Sequence, residues 1–520
     1  MTAGVLLRRG LGWLRLPGAL PAKLRHTLRR WRLAPRYRRA LARGELLTEA
    51  GPLPTSRLLT VAMPVFRVSE PHLRAALASV KAQSWPHWEL VIVDDAAPEP
   101  HVAPVLAEFA SDPRVRVVRR SSNGGIAVAS NEAVAQARGE FVAFLDHDDQ
   151  LHPRALELVA RFLAANPATD WLFSDEDKLD DRGRHCEPMF KPGWSRHLLL
   201  ALNVASHFRV VRRQTIGRVG GHRVGTEGAQ DYDLALRVLA EGGRFAHLPG
   251  ILYHWRTTAG SMAGAASAKP EANGRALAAL LEHVRSFPRG GEATGDVLVP
   301  NASLFRVRRR ADAGISCAVA TAGGLGFGPA VRTPNPVRPM AMDGASPSAL
   351  VAAARNRTEE VIVVPPPGGM SAEQLAELLA LLQVPGTAVA AGRLVVRRRV
   401  ASSGWVVPED GTPFDPWHGL HVSDPGYLNL ALVPGRRLEP PPFGWAAWRN
   451  TLLEAWDAAL DVGEPWRLAA GWARLGAEVV TTPDVSLPVV NRSLAPPNGP
   501  MPPGMPRSAA AGLALLARLP

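Results

Sequence analysis

Phe141-Val142-Ala143-Phe144-Leu145-Asp146-His147-Asp148-Asp149 joins five consecutive apolar residues to a cluster of acids. An apolar run of this length bounded by charge reads as a buried strand of a parallel sheet, and open α/β sheets place ligands beyond the carboxyl ends of their strands. Asp146 and Asp148 stand at i and i+2, which an extended segment puts on one side, so their carboxylates can converge. Two carboxylates that close repel each other unless a cation joins them. Oxygen ligands suit a hard divalent ion, Mg2+ or Mn2+, with diphosphate oxygens completing its shell. The competing reading is an acidic turn that caps the next helix.

Working outward, Leu58 to Val65 reads as a first buried strand. Ser69-Glu70-Pro71 reads as a helix start, with Leu73, Ala76, Leu77 and Val80 on one face. Glu89 to Val93 is a second apolar strand that ends in Asp94-Asp95. A helix around Val102 to Phe109, a third strand over Arg114 to Val118, and the turn Ser122-Asn123-Gly124-Gly125 into another helix complete an alternating α/β array before Phe141. Right-handed crossovers and a parallel sheet follow. Such a sheet suggests nucleotide binding, yet the glycine loops that cradle phosphate are missing. There is no G-x-x-x-x-G-K-[ST], and the Gly323 to Gly328 cluster lacks the third glycine of G-x-G-x-x-G at the required place. The segment from Asp146 lacks the sixth-position glycine and twelfth-position glutamate of a calcium loop. With no glycine loop, a bound metal is the natural substitute for holding phosphate, which favours the functional reading of Asp146 and Asp148.

The chain has 520 residues, enough for two or three domains with proper cores, and 46% hydrophobic content argues against general disorder. Its two cysteines, Cys186 and Cys317, make neither a disulfide framework nor a zinc site, and a reducing cytoplasm fits best. No run of about 18 apolar residues occurs, and the N-terminus lacks the apolar core and cleavage site of a secretory signal. Net charge is +13, of which residues 1–50 supply +10 through twelve Lys and Arg against two Glu. Leu6, Leu7, Leu11, Trp13, Leu14, Leu16, Leu20, Leu24, Leu28 and Trp31 interleave with those arginines at roughly helical spacing. That pattern suits an amphipathic segment on an anionic membrane surface. Nucleic-acid binding and a plain solvated helix are the alternatives.

In order along the chain, Val61-Ala62-Met63-Pro64-Val65-Phe66, Ser79 to Ser84, Val91-Ile92-Val93-Asp94-Asp95, Asn123-Gly124-Gly125 and Leu145-Asp146-His147-Asp148-Asp149 resemble family 2 glycosyltransferases of GT-A fold. Ser174-Asp175-Glu176-Asp177-Lys178, Phe190-Lys191-Pro192, Gln230-Asp231-Tyr232-Asp233-Leu234 and Tyr253-His254-Trp255-Arg256 resemble the branch that builds bacterial O-antigens and other surface polysaccharides. The match runs from about Leu58 to Met262. The chain departs from the family at Gly193, where an acid often follows Phe-Lys-Pro, and at Ser130, where many relatives carry arginine.

The resemblance implies an α/β GT-A nucleotide-diphospho-sugar transferase fold, a mostly parallel central sheet flanked by helices. It also implies roles by position. Pro64 and Phe66 line the nucleotide pocket, and Asp94 or Asp95 accepts from the pyrimidine N–H. Asp146 holds the ribose or the metal shell, and Asp148 binds the metal, Mg2+ or Mn2+. Asp231 is the base that takes the acceptor hydroxyl proton in an inverting transfer. His254 reaches the metal or the leaving diphosphate. By their charge alone, Lys191 and Arg256 either neutralise phosphate or are solvated cations. Asp231 can equally be an N-terminal helix cap, and His254 a hydrogen-bonded strand-end histidine. Asp175, Glu176 and Asp177 either contact acceptor or end a strand.

From about Asn301 lysine disappears and proline breaks multiply. Ala349 to Arg355 followed by Glu359 to Val364 repeats the order of helix then apolar strand, but Pro365-Pro366-Pro367 replaces the acids. The expected organisation is a basic amphipathic segment (1–50), a GT-A catalytic domain (55–285), a degenerate second GT-A-like domain (300–495) and a flexible tail (496–520). The expected partners are a nucleotide-sugar donor and a glycan or lipid-linked glycan acceptor, at the inner face of the cell membrane and without nucleic acid. A non-catalytic nucleotide- or glycan-binding scaffold, and a nucleic-acid-binding protein working through its basic tail, are the rival functions.

Overall fold

The computed structural model describes residues 37–44, 47, 51–191, 193–257 and 270–286, and a series of segments between residues 292 and 488. The basic segment, apart from a helix over 37–42, and the tail beyond 488 lie outside the described residues. Among the described residues no helix is long and apolar enough to cross a membrane, and both cysteines are free. The chain divides into two compact units. Of the described residues, those up to Trp194 and Asn203–His283 make one, and Ser195–Leu202 with those from Val284 to 488 make the other.

In the first unit, β1 (Leu59–Val65) and β2 (Trp88–Asp94) are buried along their whole length. Between them α1 (Glu70–Lys81) buries the expected face, Leu73, Ala76, Leu77 and Val80. α2 (Val102–Phe109), β3 (Val115–Arg119), α3 (Ile126–Gln136) and β4 (Phe141–Phe144) follow in the expected alternation. β3, β2, β1 and β4 lie side by side, all parallel. Their shared carboxyl end therefore gathers Asp94, Asp95 and the acids after Phe144. Gly139 makes the approach to β4 tight: a Cβ there would lie 2.8 Å from the Thr60 nitrogen and 2.9 Å from the Leu58 carbonyl oxygen, so only glycine fits.

The sheet is mixed beyond β4. β8 (Val210–Arg212) pairs antiparallel with β4 and with β6 (Trp171–Leu179), and β6 runs parallel to β9 (Phe245–Arg256). β5 (Gln150–Leu151) and β7 (His185–Met189) pair antiparallel with β9 and β6. Asp175, Glu176 and Asp177 do not end a strand after Trp171-Leu172-Phe173. β6 runs through all three, and each is at most 3% exposed. Partners make this tolerable: His247 and two backbone N–H groups for Asp175, Lys191 for Glu176, and His185 and His254 for Asp177.

One buried histidine has a measurable consequence. His222 is 3% exposed and packs edge-on against Phe144 at 5.2 Å between ring centroids. Burial, with Arg209 and Arg237 nearby, depresses its imidazole from 6.5 to about 3. Between these values the unfolded chain binds a proton that the folded chain refuses. The contribution of His222 is therefore complete above pH 6.5 and is lost as pH falls towards 3, at about 1.4 kcal/mol per unit once well below 6.5. The urea-unfolding midpoint should drop from pH 7 to pH 5, and His222→Phe should flatten that drop. An unchanged slope in the variant would refute the assignment.

The second unit has its own sheet. β10 (Cys317–Ala322) lies between parallel β11 (Val337–Met342) and β12 (Val361–Val364). β14 (Trp445–Trp448) then pairs antiparallel with β12 and with β13 (Thr387–Val396), and β13 runs parallel to β15 (Glu478–Pro488). In the order β11-β10-β12-β14-β13-β15 this repeats β2-β1-β4-β8-β6-β9 of the first unit, strand for strand in direction and in chain order. Before β12, α5 (Pro347–Arg355) occupies the place expected from the apolar run Ala349 to Arg355. The short helix Arg196–Ala201, within the sequence span assigned to the first domain, goes instead with this unit, where His197 Nε2 lies 2.8 Å from Thr387 Oγ1. Leu198, Leu199 and Leu200 are all buried, and they explain why it docks.

Candidate active site

After β4 the chain forms a turn: the Asp149 N–H donates to the Asp146 carbonyl at 3.2 Å. Asp146 and Asp148 thus meet across a turn, where the sequence spacing suggests an extended segment. The cause lies in Asp149, which is fully buried and accepts from the Tyr253 hydroxyl at 2.6 Å and from the Arg256 N–H at 2.7 Å. Pulling this third acid inward bends the backbone and leaves Asp146 and Asp148 facing outward, both partly exposed. Arg256, 7% exposed, donates through Nε to the Asp148 carbonyl at 2.9 Å, so it clamps the turn from β9. His147 completes the loop with Nδ1 3.1 Å from the Pro64 carbonyl.

Burial pushes the Asp148 carboxyl up, and the neighbouring Asp146 charge pushes the same way, with His147 opposing. Asp149 is driven higher still by burial and by the charges of Asp148 and Asp146. Negative charge gathered in this way is what a divalent cation would relieve. Asp146 and Asp148 offer oxygen only, the donor set that Mg2+ and Mn2+ prefer. The residues present fit such an ion.

At the neighbouring strand end the two acids of Asp94-Asp95 differ in what they already bind. Asp95 accepts the Gly124 N–H at 2.8 Å, the Gly125 N–H at 2.8 Å and Asn123 Nδ2 at 2.9 Å, and pairs with Arg120 Nε at 2.9 Å. Both of its oxygens are taken up in pinning the Asn-Gly-Gly turn. Gly125 there has φ +85°, a conformation that suits glycine. Asp94 accepts only the Ala97 N–H at 2.8 Å and pairs with the exposed Arg119 at 3.3 Å. Pro64 is buried in β1, and Phe66, half-buried, carries Arg67 5.3 Å from its ring centroid.

Asp231 is the second residue of α4 (Gln230–Ala240), whose N-cap is Ala229, so Asp231 is not the cap. Its Oδ2 accepts Asn203 Nδ2 at 3.0 Å and the side chain is half-buried. Along β9 the Tyr253 hydroxyl reaches Asp149, and the next residue, His254, lies with Nδ1 2.6 Å from Asp177 Oδ1. His254 is thus a hydrogen-bonded strand histidine through Nδ1, a contact that leaves Nε2 open to the other reading. Lys191 is 2% exposed and sits 3.4 Å from Glu176. It is thus committed to a buried acid.

Sequence reasoning missed His207. Its ring stacks on Tyr253 at 4.8 Å and 9° and lies 3.3 Å from Glu176 and 4.0 Å from Asp146, which ties the acid turn to the β6 acids. Burial raises the Glu176 carboxyl, but Lys191 and His207 outweigh it and the net shift is downward. No motif in the chain flags His207, because its partners come from three distant strands. Asp149 carried a signal, since a third acid after a D-x-D has no ligand role to fill.

Residues 60–220 match the family model described as glycosyl transferase family 2. An uncharacterized protein of Sinorhizobium fredii, y4gI, is 42% identical over 252 residues, which cover 48% of this chain and 28% of that protein. The O-antigen biosynthesis protein RfbC of Myxococcus xanthus is 41% identical over 252 residues, covering 48% of this chain and 20% of that protein. The matched region thus spans less than a third of either relative. A crystal structure of S. aureus TarS 1-349 in complex with UDP-GlcNAc aligns with 44% of this chain and 67% of that one, at 20% identity and a TM-score of 0.37. Residues 60–220, which hold the parallel strands and the acid turn, thus match glycosyl transferase family 2.

Proposed function

We propose that residues 55–285 catalyse an inverting transfer of a sugar from a nucleotide-diphosphate donor to a surface-polysaccharide acceptor, O-antigen-like and lipid-linked. The observation that carries this reading is the acid turn after β4, beside Asp94 at the end of parallel β2. The name of the Myxococcus xanthus relative supports the polysaccharide class. Asp94 is the acid with capacity left for the pyrimidine N–H, since Asp95 is saturated by the Asn-Gly-Gly turn. Pro64 and Phe66 border the same strand end and supply walls for the nucleotide. Asp148, with Asp146 as its partner, holds Mg2+ or Mn2+. The ion, when bound, offsets the charge that builds on the departing diphosphate. Arg256 keeps the turn in register through the Asp148 carbonyl. Asp231, oriented by Asn203, takes the proton from the acceptor hydroxyl as it attacks the anomeric carbon.

The second unit is a degenerate copy of the same module. Its support is the six-strand repeat together with Pro365-Pro366-Pro367 where β4 continues into acids. It contributes acceptor handling or a partner surface and no metal chemistry. The basic segment 1–50 rests on an anionic membrane surface. Nucleoside diphosphate release from a panel of pyrimidine nucleotide sugars with Mn2+ tests the activity. Metal-dependent release from at least one donor is expected, and a panel without turnover by the folded chain argues for a binding scaffold.

A further inference from the structure

The face of β9 opposite Tyr253 carries a second constellation. β7, β6 and β9 are neighbours in the sheet, with Leu179 opposite His185 and Asp177 opposite His254. Because Asp177 and Leu179 share a face, Asp177, His185 and His254 all project to one side. Their ligand atoms lie within 4.8 Å of one another. His185 Nδ1 is 2.9 Å from one Asp177 oxygen and His254 Nδ1 is 2.6 Å from the other. The His185 and His254 rings meet edge-on at 4.5 Å, and His152, from the residue after β5, stands 6.2 Å from His254. The Tyr37 hydroxyl donates to Asp177 and closes the cluster from the helix over 37–42. Asp177 and His254 are buried, while the His185 side chain is one-third exposed and leaves an entry.

From this geometry we propose that Asp177, His185 and His254 form a Zn2+ site separate from the acid turn. Two imidazoles and one carboxylate are the mixed nitrogen and oxygen set that Zn2+ takes, with water in the fourth position, whereas Mg2+ prefers oxygen alone. Each neutral imidazole binds through Nδ1 with its proton carried on Nε2, and Asp177 supplies an oxygen. The ion ties β7, β6 and β9 together and takes no part in sugar transfer.

The full chain, freed of metal with a chelator and dialysed against ZnCl2 in excess Mg2+, is expected to retain one Zn2+ per chain by mass spectrometry. Co2+ in the same site is expected to give the visible absorption of a four-coordinate ion. Zn2+ should raise the melting temperature of the wild type. His185→Gln removes a partly exposed side chain and should keep the circular dichroism of the fold. It should weaken Zn2+ retention by more than about tenfold and abolish the thermal shift. Asp148→Ala should retain Zn2+ as the wild type does. No Zn2+ uptake by the wild type, equal uptake by His185→Gln, or loss in Asp148→Ala with retention in His185→Gln would each overturn the site and show a hydrogen-bonded cluster only.

Discussion

Asp231→Asn is expected to keep donor binding and to slow transfer by about 10^2- to 10^4-fold, the usual contribution of a positioned general base. The amide keeps the shape of the carboxylate but offers one acceptor oxygen where Asp231 uses two, for Asn203 Nδ2 and the Tyr232 N–H, and it cannot take the acceptor proton. The exchange should cost about 1 kcal/mol of stability, well short of the loss in rate. Its loss should fall on kcat, with the donor dissociation constant preserved. Wild-type kcat in the folded variant would remove Asp231 from the mechanism, whereas a loss of stability matching the loss of activity would make it a structural residue.

Asp148→Ala is expected to reduce transfer by at least about 10^2-fold, since metal stabilisation of a leaving diphosphate is worth several kcal/mol and each 1.36 kcal/mol is a factor of ten. The same change should not destabilise the metal-free fold. Burial and the Asp146 charge both raise the Asp148 carboxyl, so its ionised form is held at a cost that alanine removes. Activity and melting temperature should therefore move independently. Asp149→Ala should do the opposite to stability, because it strips the partner from the buried Tyr253 hydroxyl and from the Arg256 N–H.

What the sequence could and could not reveal follows the range of the interactions involved. The first four strands and three helices of the first unit are local: apolar runs of five to seven residues, a helix face at Leu73, Ala76, Leu77 and Val80, and a Pro near a helix start all act over a few residues. The acid cluster was visible for the same reason. Its shape was not, since the turn depends on Asp149 meeting Tyr253 more than a hundred residues away. The division of labour between Asp94 and Asp95 likewise needed the donors of Asn123, Gly124 and Gly125 in place. The acids of β6 read as acceptor contacts or as a strand end, because burying three carboxylates in a row looks costly until His185, Lys191, His207, His247 and His254 converge on them. The motif places His254 near the acid turn, and its Nδ1 contact with Asp177 needed β6 in place beside β9. The second unit showed only a helix and a strand ending in prolines, and its six-strand repeat emerges from pairing between distant strands.

The central claim is that Asp146 and Asp148 hold a divalent ion against the diphosphate of a nucleotide donor. Isothermal titration of UDP and dTDP into the full chain, with and without Mn2+, tests it most directly. Binding of at least one of them that strengthens about tenfold or more with Mn2+ in the wild type, and loses that gain in Asp148→Ala, is the predicted result. Affinity that ignores Mn2+, or that survives Asp148→Ala unchanged, would contradict it.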